Sequence, residues 1–316
     1  MEWLDSHSMA ASPSKRKYFD IAASPQVFVP SYPAELPITE WREKIVSAIR
    51  EHQVLVITGE TGSGKSTQIP KFCLEAGRGR SGLIGCTQPR RIAAITLAAR
   101  VSEEIEQNGP GLVGYKIRFQ DRTARTTRIK FMTDGILLAE AQKDRYFRSY
   151  DTIIVDEAHE RTLNIDFLIG ILKQTLPKRH DLKVIITSAT IDPQKFSSAF
   201  DGAPIIEVSG RTWPVEVWYR PAAQTENEEA GDVNYIDQAV AAADLFKLSP
   251  GKRGDILIFM PTESDIMETV QRLEDQRYAN TAVMPLFGRM AGSDQQKIFA
   301  PISEDKIVVA TNVAET

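Results

Sequence analysis

Val54-Leu55-Val56-Ile57-Thr58-Gly59-Glu60-Thr61-Gly62-Ser63-Gly64-Lys65-Ser66 is the stretch on which the fold turns. The unbroken apolar run Val54–Ile57 predicts a short strand buried on both faces, which is the habit of strands in parallel sheets. The turn after it fits G-x-x-x-x-G-K-[ST] at every fixed position. Glycines there let backbone N–H groups turn inward around an anion, where a Cβ would block the approach. A helix expected from about Lys65 points its partial positive end at the same place. Lys65 adds a full charge, and the Ser66 hydroxyl offers a hard oxygen to a small cation such as Mg²⁺. Thr67, Gln68 and Ile69 carry that helix on until Pro70, about one turn in. Gly59, Glu60, Thr61, Gly62, Ser63, Gly64, Lys65, Ser66 and Thr67 thus form a candidate polyphosphate-binding set.

The same alternation of strand and helix extends outward from this stretch. Before it, Thr39 is placed to cap a helix with the apolar stripe Trp41, Ile45, Ala48 and Ile49. After it, Leu83-Ile84 leads into a helix over 90–106, Ile153-Ile154-Val155 into 163–176, and Val184-Ile185-Ile186 into 193–200. This pattern predicts an α/β fold with a parallel sheet covered on both faces. Segments 113–119 and 127–132 alternate apolar and polar residues, which predicts more exposed strands. Residues 221–232 hold no basic residue and little core material, and read as a surface loop. The alternation then resumes: helix near 234–247, strand at Ile256-Leu257-Ile258-Phe259, helix 263–275, strand near 281–286, helix 292–300 and strand Ile307-Val308-Val309-Ala310.

A second motif lies at the end of the Ile153–Val155 strand, where Asp156-Glu157-Ala158-His159 begins. Adjacent carboxylates at a buried strand end are costly unless positive charge meets them. In a parallel sheet that end opens on the same crevice as the glycine turn. Asp156 is then placed to hold Mg²⁺ through water, and Glu157 to orient and deprotonate an attacking water. The spacing alone gives His159 no role.

Composition narrows the partners. A chain of 316 residues with 42% hydrophobic and 25% charged residues is an ordinary globular chain of about two domains. No run reaches the apolar length of a membrane span, and the start lacks a basic-then-apolar leader. The two cysteines, Cys73 and Cys86, form no C-x-x-C pair, which excludes a disulfide scaffold and favours the cytoplasm. A net charge of −4 argues against nucleic-acid binding by bulk charge, so phosphate contacts must be local. One such place is 116–130, where Lys116, Arg118, Arg122, Arg125, Arg128 and Lys130 meet a single acid, Asp121. It reads equally as a backbone contact or as solvated strand faces with a hairpin tip.

Taken together, the string Asp156-Glu157-Ala158-His159-Glu160-Arg161 after a GETGSGKST loop resembles the DEAH-box RNA helicases of helicase superfamily 2. Thr87-Gln88-Pro89-Arg90-Arg91, Thr133-Asp134-Gly135, Ser188-Ala189-Thr190, Gly210-Arg211-Thr212 and Thr311-Asn312-Val313-Ala314-Glu315-Thr316 extend the likeness, in the family's order, from about residue 36 to the end. Short details look most like the bacterial HrpA-type members. The resemblance implies two RecA-like (P-loop NTPase) domains that use ATP, or another NTP, with Mg²⁺ and run along single-stranded RNA, or an RNA duplex with an overhang. DNA is the less favoured strand but stays open, since phosphate contacts do not read the sugar and the 2′-hydroxyl would have to be recognised. It implies that Lys65, Ser66, Asp156 and Glu157 act as above, that His159 links the nucleotide site to neighbouring motifs, and that Ser188 and Thr190 couple hydrolysis to movement. Arg100 and Phe299 match the pair that sandwiches the nucleotide base, although Phe299 reads equally as a helix core residue. Arg90, Arg118, Thr133 and Thr311 match residues on the RNA track, with Arg118-Phe119 where the family places a strand-guiding turn.

The expected organisation is a flexible lead over 1–35, an ATP-binding RecA-like domain over 36–208, and a partial second one over 209–316. No Gly-Arg-x-Gly-Arg string follows to supply arginines to the γ-phosphate, so the expectation is a chain shortened within the second domain, with weak turnover. The rival to unwinding is a nucleotide-switched RNA-binding clamp.

Overall fold

The computed structural model describes residues 31–105, 111–189, 192–209, 215–219, 235–248, 254–290 and 292–314. The chain divides into two units, residues 1–213 and 214–316. In the first, strands β1 (Val54–Gly59), β2 (Leu83–Gln88), β3 (Val113–Ile117), β4 (Gln120–Arg122), β5 (Ile129–Thr133), β6 (Tyr150–Val155), β7 (Lys183–Ser188) and β8 (Ile205–Val208) form one sheet. Its order is β4-β3-β5-β2-β6-β7-β1-β8, parallel throughout except for β4, which returns antiparallel on β3. This is the expected RecA-like α/β sheet.

Period-two side-chain direction divides its core into two faces. Leu55 and Ile57 of β1, Ile154 of β6 and Ile185 of β7 pack with α1 (Arg42–Glu51), α2 (Lys65–Glu75) and α3 (Arg91–Ile105). Val56, Ile153, Val155, Val184 and Ile186 face the other way, toward α4 (Asp134–Lys143), α5 (Leu163–Thr175) and α6 (Pro193–Ala199). Cys73 and Cys86 are buried free thiols on the first face.

Four local expectations are corrected. Thr39 does not cap α1: it lies inside a 3-10 turn, Pro37–Trp41, and its hydroxyl donates to the Pro33 carbonyl. α2 does not stop at Pro70 but runs through it to Glu75, because the half beyond it buries Phe72 and Cys73 completely. The one backbone hydrogen bond that proline forgoes is outweighed by that burial. β5 is buried nearly throughout, since β3 and β2 flank it on both edges and even Lys130 turns inward. Within residues 31–35 of the supposed lead the chain is anchored: the Tyr32 ring sits 5.4 Å from Phe72, its hydroxyl donates to Glu75, and Lys71 Nζ donates to the Ser31 carbonyl. Residues 1–30 and 221–232 lie outside the described residues.

The second unit holds α7 (Tyr235–Lys247), β9 (Ile256–Phe259), α8 (Glu263–Asp275), β10 (Thr281–Leu286), α9 (Gly292–Phe299) and β11 (Asp305–Ala310). Its strands form a smaller parallel sheet in the order β10-β11-β9. Val240, Ala243, Ile266, Val270, Leu273, Ile307 and Val309 form its core. α8 starts on a capping box in which Thr262 and Asp265 exchange bonds.

Candidate nucleotide site at the strand ends

Adjacent strands β5, β2, β6, β7 and β1 bring their C-terminal ends into a row, so Thr133, Gln88, Asp156, Ser188 and the glycine turn line one edge of the sheet. The turn is tightly held. A Cβ on Gly59 would come within 2.8 Å of the Val208 carbonyl oxygen of β8, and Gly64 has φ +94°, a conformation that favours glycine. The Ile38 N–H donates to the Ser63 carbonyl at 3.1 Å and fastens the turn to the preceding segment. Lys65, at the first position of α2, points its ammonium back into the turn, donating to the Gly59 and Glu60 carbonyls at 2.7 and 2.8 Å and to Ser63 Oγ at 3.3 Å. Ser66 and Thr67 follow on α2, half-buried.

Asp156 is buried and fully engaged. Gln88 Nε2 donates to its Oδ2 at 2.5 Å, the Thr187 hydroxyl donates to Oδ1, and the Glu157 N–H reaches the same oxygen at 3.1 Å. Glu157 stands in left-handed backbone, φ 51°, a conformation that costs a branched-Cβ-free L residue about 1 kcal/mol or more and recurs at functional turns. Burial pushes its carboxyl up to about 7, with Asp156 adding and Lys65 opposing. Lys65 is drawn below its ordinary range by burial, against the pull of Glu157 and Asp156. The lysine of the turn and both acids therefore feel one another, and a carboxyl near neutrality is suited to take a proton from water. Asp134, at the start of α4, is likewise pushed up to about 7 by burial, with Glu160 and Asp156 adding.

His159 has a position that spacing could not supply. Its Nδ1 accepts from the Ala189 N–H at 3.2 Å and lies 3.3 Å from Glu157 Oε2, joining the acidic turn to the end of β7. Thr187, not Ser188, is the β7 residue bonded to Asp156; Ser188 is buried and its hydroxyl has no partner among the described residues. Thr190 lies outside the described residues. Arg90 does not stand open to solvent: its guanidinium meets Glu160 at 3.1 Å. Thr133 precedes α4 without bonding its first turn. Arg100 pairs with Glu104 at 2.7 Å, and Glu104 also receives Lys71 and Gln68 from α2, so Arg100 is tied to the helix of the glycine turn. In the second unit Phe299 is 54% exposed at the end of α9, which removes the helix-core reading, and Thr311 follows β11 with its N–H on the Leu286 carbonyl.

The basic segment divides. Arg118, Arg122 and Arg125 are exposed, but Lys116 and Lys130 turn toward Glu140 of α4, an acid that the sequence reading did not pair with them. Gln88 was quoted only as part of a motif, with no role, and Thr187 was missed; their places at the ends of strands near Val155 were the signal for both.

The model of the DEAD/DEAH box helicase family matches residues 39–198. The chain belongs to that family. This helicase-family chain is 54% identical over 296 residues to the ATP-dependent RNA helicase HrpA of Escherichia coli strain K12, covering 93% of the chain and 22% of that protein. It is 53% identical over 288 residues to the HrpA homolog of Haemophilus influenzae, with 90% and 21% covered. Against HrpA of Borreliella burgdorferi the identity is 42% over 285 residues, with 89% and 34% covered. The helicase-family chain thus spans about a fifth to a third of the length of these relatives.

Proposed function

We propose that this chain carries the nucleotide-driven part of an ATP-dependent RNA helicase, coupling NTP hydrolysis to movement along single-stranded RNA and to the separation of duplexes with an overhang. The single observation behind this reading is that the Lys65 turn after β1 and the Asp156–Glu157 pair after β6 stand at the same edge of one sheet, with only β7 between them. ATP would lie with its phosphates in the Gly59–Thr67 turn, where Gly64 already has the backbone that a phosphate cradle needs. Ser66 and Asp156, a hydroxyl and a carboxylate, offer the hard oxygens that would hold Mg²⁺ there. Bound there, Mg²⁺ would offset phosphate charge. Glu157, poised near neutrality, would orient water and accept its proton. His159, through Ala189, would report the state of that site to β7, with Ser188 and Thr190 carrying the signal onward.

Arg100 and Phe299 are proposed to stack on the nucleotide base, and Arg90, Arg118, Thr133 and Thr311 to follow the RNA backbone. For Arg90 this requires a phosphate to displace Glu160. The buried thiols Cys73 and Cys86 suit a reducing cytoplasm, and no helix among the described residues is long and apolar enough to cross a membrane. The test is ATP turnover by this chain with and without single-stranded RNA, beside Glu157→Gln. RNA-stimulated turnover lost in the variant is the expected result. Nucleotide-gated RNA binding with no RNA effect on turnover would instead favour a clamp.

A further inference from the structure

The β3–β4 hairpin ends in an exposed cation–aromatic pair, with Arg118 5.2 Å from the Phe119 ring and Phe119 83% exposed. A hairpin tip of two residues carrying a large exposed ring has no packing of its own to hold it. What holds it lies behind. β3 and β4 are in register with Lys116 opposite Asp121. Lys116 Nζ lies 3.3 Å from Asp121 Oδ2 and 3.3 Å from Glu140 Oε1 on α4. The same Oε1 receives Lys130 of β5 at 2.8 Å, while Oε2 receives the Tyr150 hydroxyl of β6 at 2.5 Å; Lys130 also donates to that hydroxyl at 2.7 Å. One carboxylate therefore gathers donors from β3, β5 and β6. Burial alone pushes the Glu140 carboxyl up, but Lys130, Tyr150 and Lys116 together hold it below its ordinary range, so it stays charged.

β3 is bonded to the sheet along one side by β5 and carries only the short β4 on the other. Without Glu140, Lys116 would keep only the exposed Asp121 on its own hairpin, and the tip would lose its link to α4. α4 begins next to Thr133, the residue proposed above for the RNA track. We infer that Glu140 is a positioning residue: through Lys116 it fixes the Arg118–Phe119 tip relative to the start of α4, so that the Phe119 ring is presented to a base of single-stranded RNA. This rests on the RNA reading of the chain and names a residue through which that contact is built. Lys130 and Tyr150 serve the same end by keeping Glu140 charged and oriented.

The experiment measures the affinity of this chain for a fluorescent oligo-uridine RNA, its affinity for ATP–Mg²⁺ without RNA, and the rate of tryptic cleavage at Arg118 and Arg122. The variants are Phe119→Ala, Glu140→Gln, the double variant, and Lys116→Gln, which leaves the Lys130–Glu140–Tyr150 bonds intact should Glu140→Gln fold poorly. Each single change is expected to weaken RNA binding, Phe119→Ala about tenfold from the loss of one base stack. The double variant is expected to be no weaker than the poorer single variant, with ATP–Mg²⁺ affinity unchanged throughout and cleavage at the tip faster in Glu140→Gln and Lys116→Gln. Losses that multiply in the double variant, or a parallel loss of ATP–Mg²⁺ affinity, would overturn the positioning role. So would parental cleavage rates in both Glu140→Gln and Lys116→Gln. Normal RNA binding by Phe119→Ala with faster cleavage in Glu140→Gln would leave the brace standing and remove RNA as what the tip meets.

Discussion

At the ends of β1 and β6 the charged groups face inward and act on one another, whereas at the β3–β4 hairpin they are divided between an interior brace and an exposed tip. Lys65 and Asp156 are buried and Glu157 is half-buried beside them, and the result is a carboxyl raised to about 7 and a lysine drawn down. Around Glu140 burial produces the opposite outcome, because three donors converge on one carboxylate and hold it ionised. Both regions desolvate charge, but only the brace carboxylate is compensated; burial draws Lys130 down as it does Lys65. An uncompensated group is one whose protonation state can change during a reaction cycle; a compensated one serves as structure.

The contrast can be broken first at the strand ends. Glu157→Gln is expected to slow ATP turnover by about 10²–10⁴, while Arg122→Gln leaves RNA-free turnover at the parental rate; steady-state phosphate release distinguishes them. At the brace, Lys130→Met removes one member of a buried ion pair and should cost about 3 kcal/mol in urea-induced unfolding. The same change should leave the salt dependence of RNA binding as it is, whereas Arg122→Gln or Arg125→Gln should each lower the slope of log affinity against log salt by about 0.7 if they meet phosphate.

The smallest effect is on stability against pH. Because the folded carboxyl of Glu157 titrates at about 7, above its ordinary 4.5, the folded state holds more protons than the unfolded one between those values. That contribution is intact below about 4.5 and is lost as pH rises through 7. Glu157→Gln does not titrate, so its free energy of urea-induced unfolding should gain on the parent's between pH 5 and pH 8, by about 2 kcal/mol.

Much of this was legible in the chain itself. Continuous apolar runs marked β1, β6 and β7, and the glycine turn and acid pair could be placed on one sheet edge because parallel strands put their C-terminal ends together. What escaped were features decided by distant residues. Nothing near Lys116 or Lys130 points to Glu140, which reaches them only once α4 folds back over β5. The alternation in 127–132 suggested an exposed strand, but flanking β2 and β3 buried it and its lysine. Pro70 looked like a helix stop because local propensity cannot register how deeply Phe72 and Cys73 are buried. Ser188 was singled out by its motif, while Thr187, one residue earlier and pointing to the opposite face of β7, carries the bond to Asp156.

The central claim is that the Gly59–Thr67 turn and the Asp156–Glu157 pair hold one triphosphate between them. Calorimetric titration of ATP–Mg²⁺ into the parent chain and Lys65→Ala tests it most directly. Saturable heat in the parent and its loss in the variant is the outcome predicted; no heat in the parent, or equal heat in both, would contradict it.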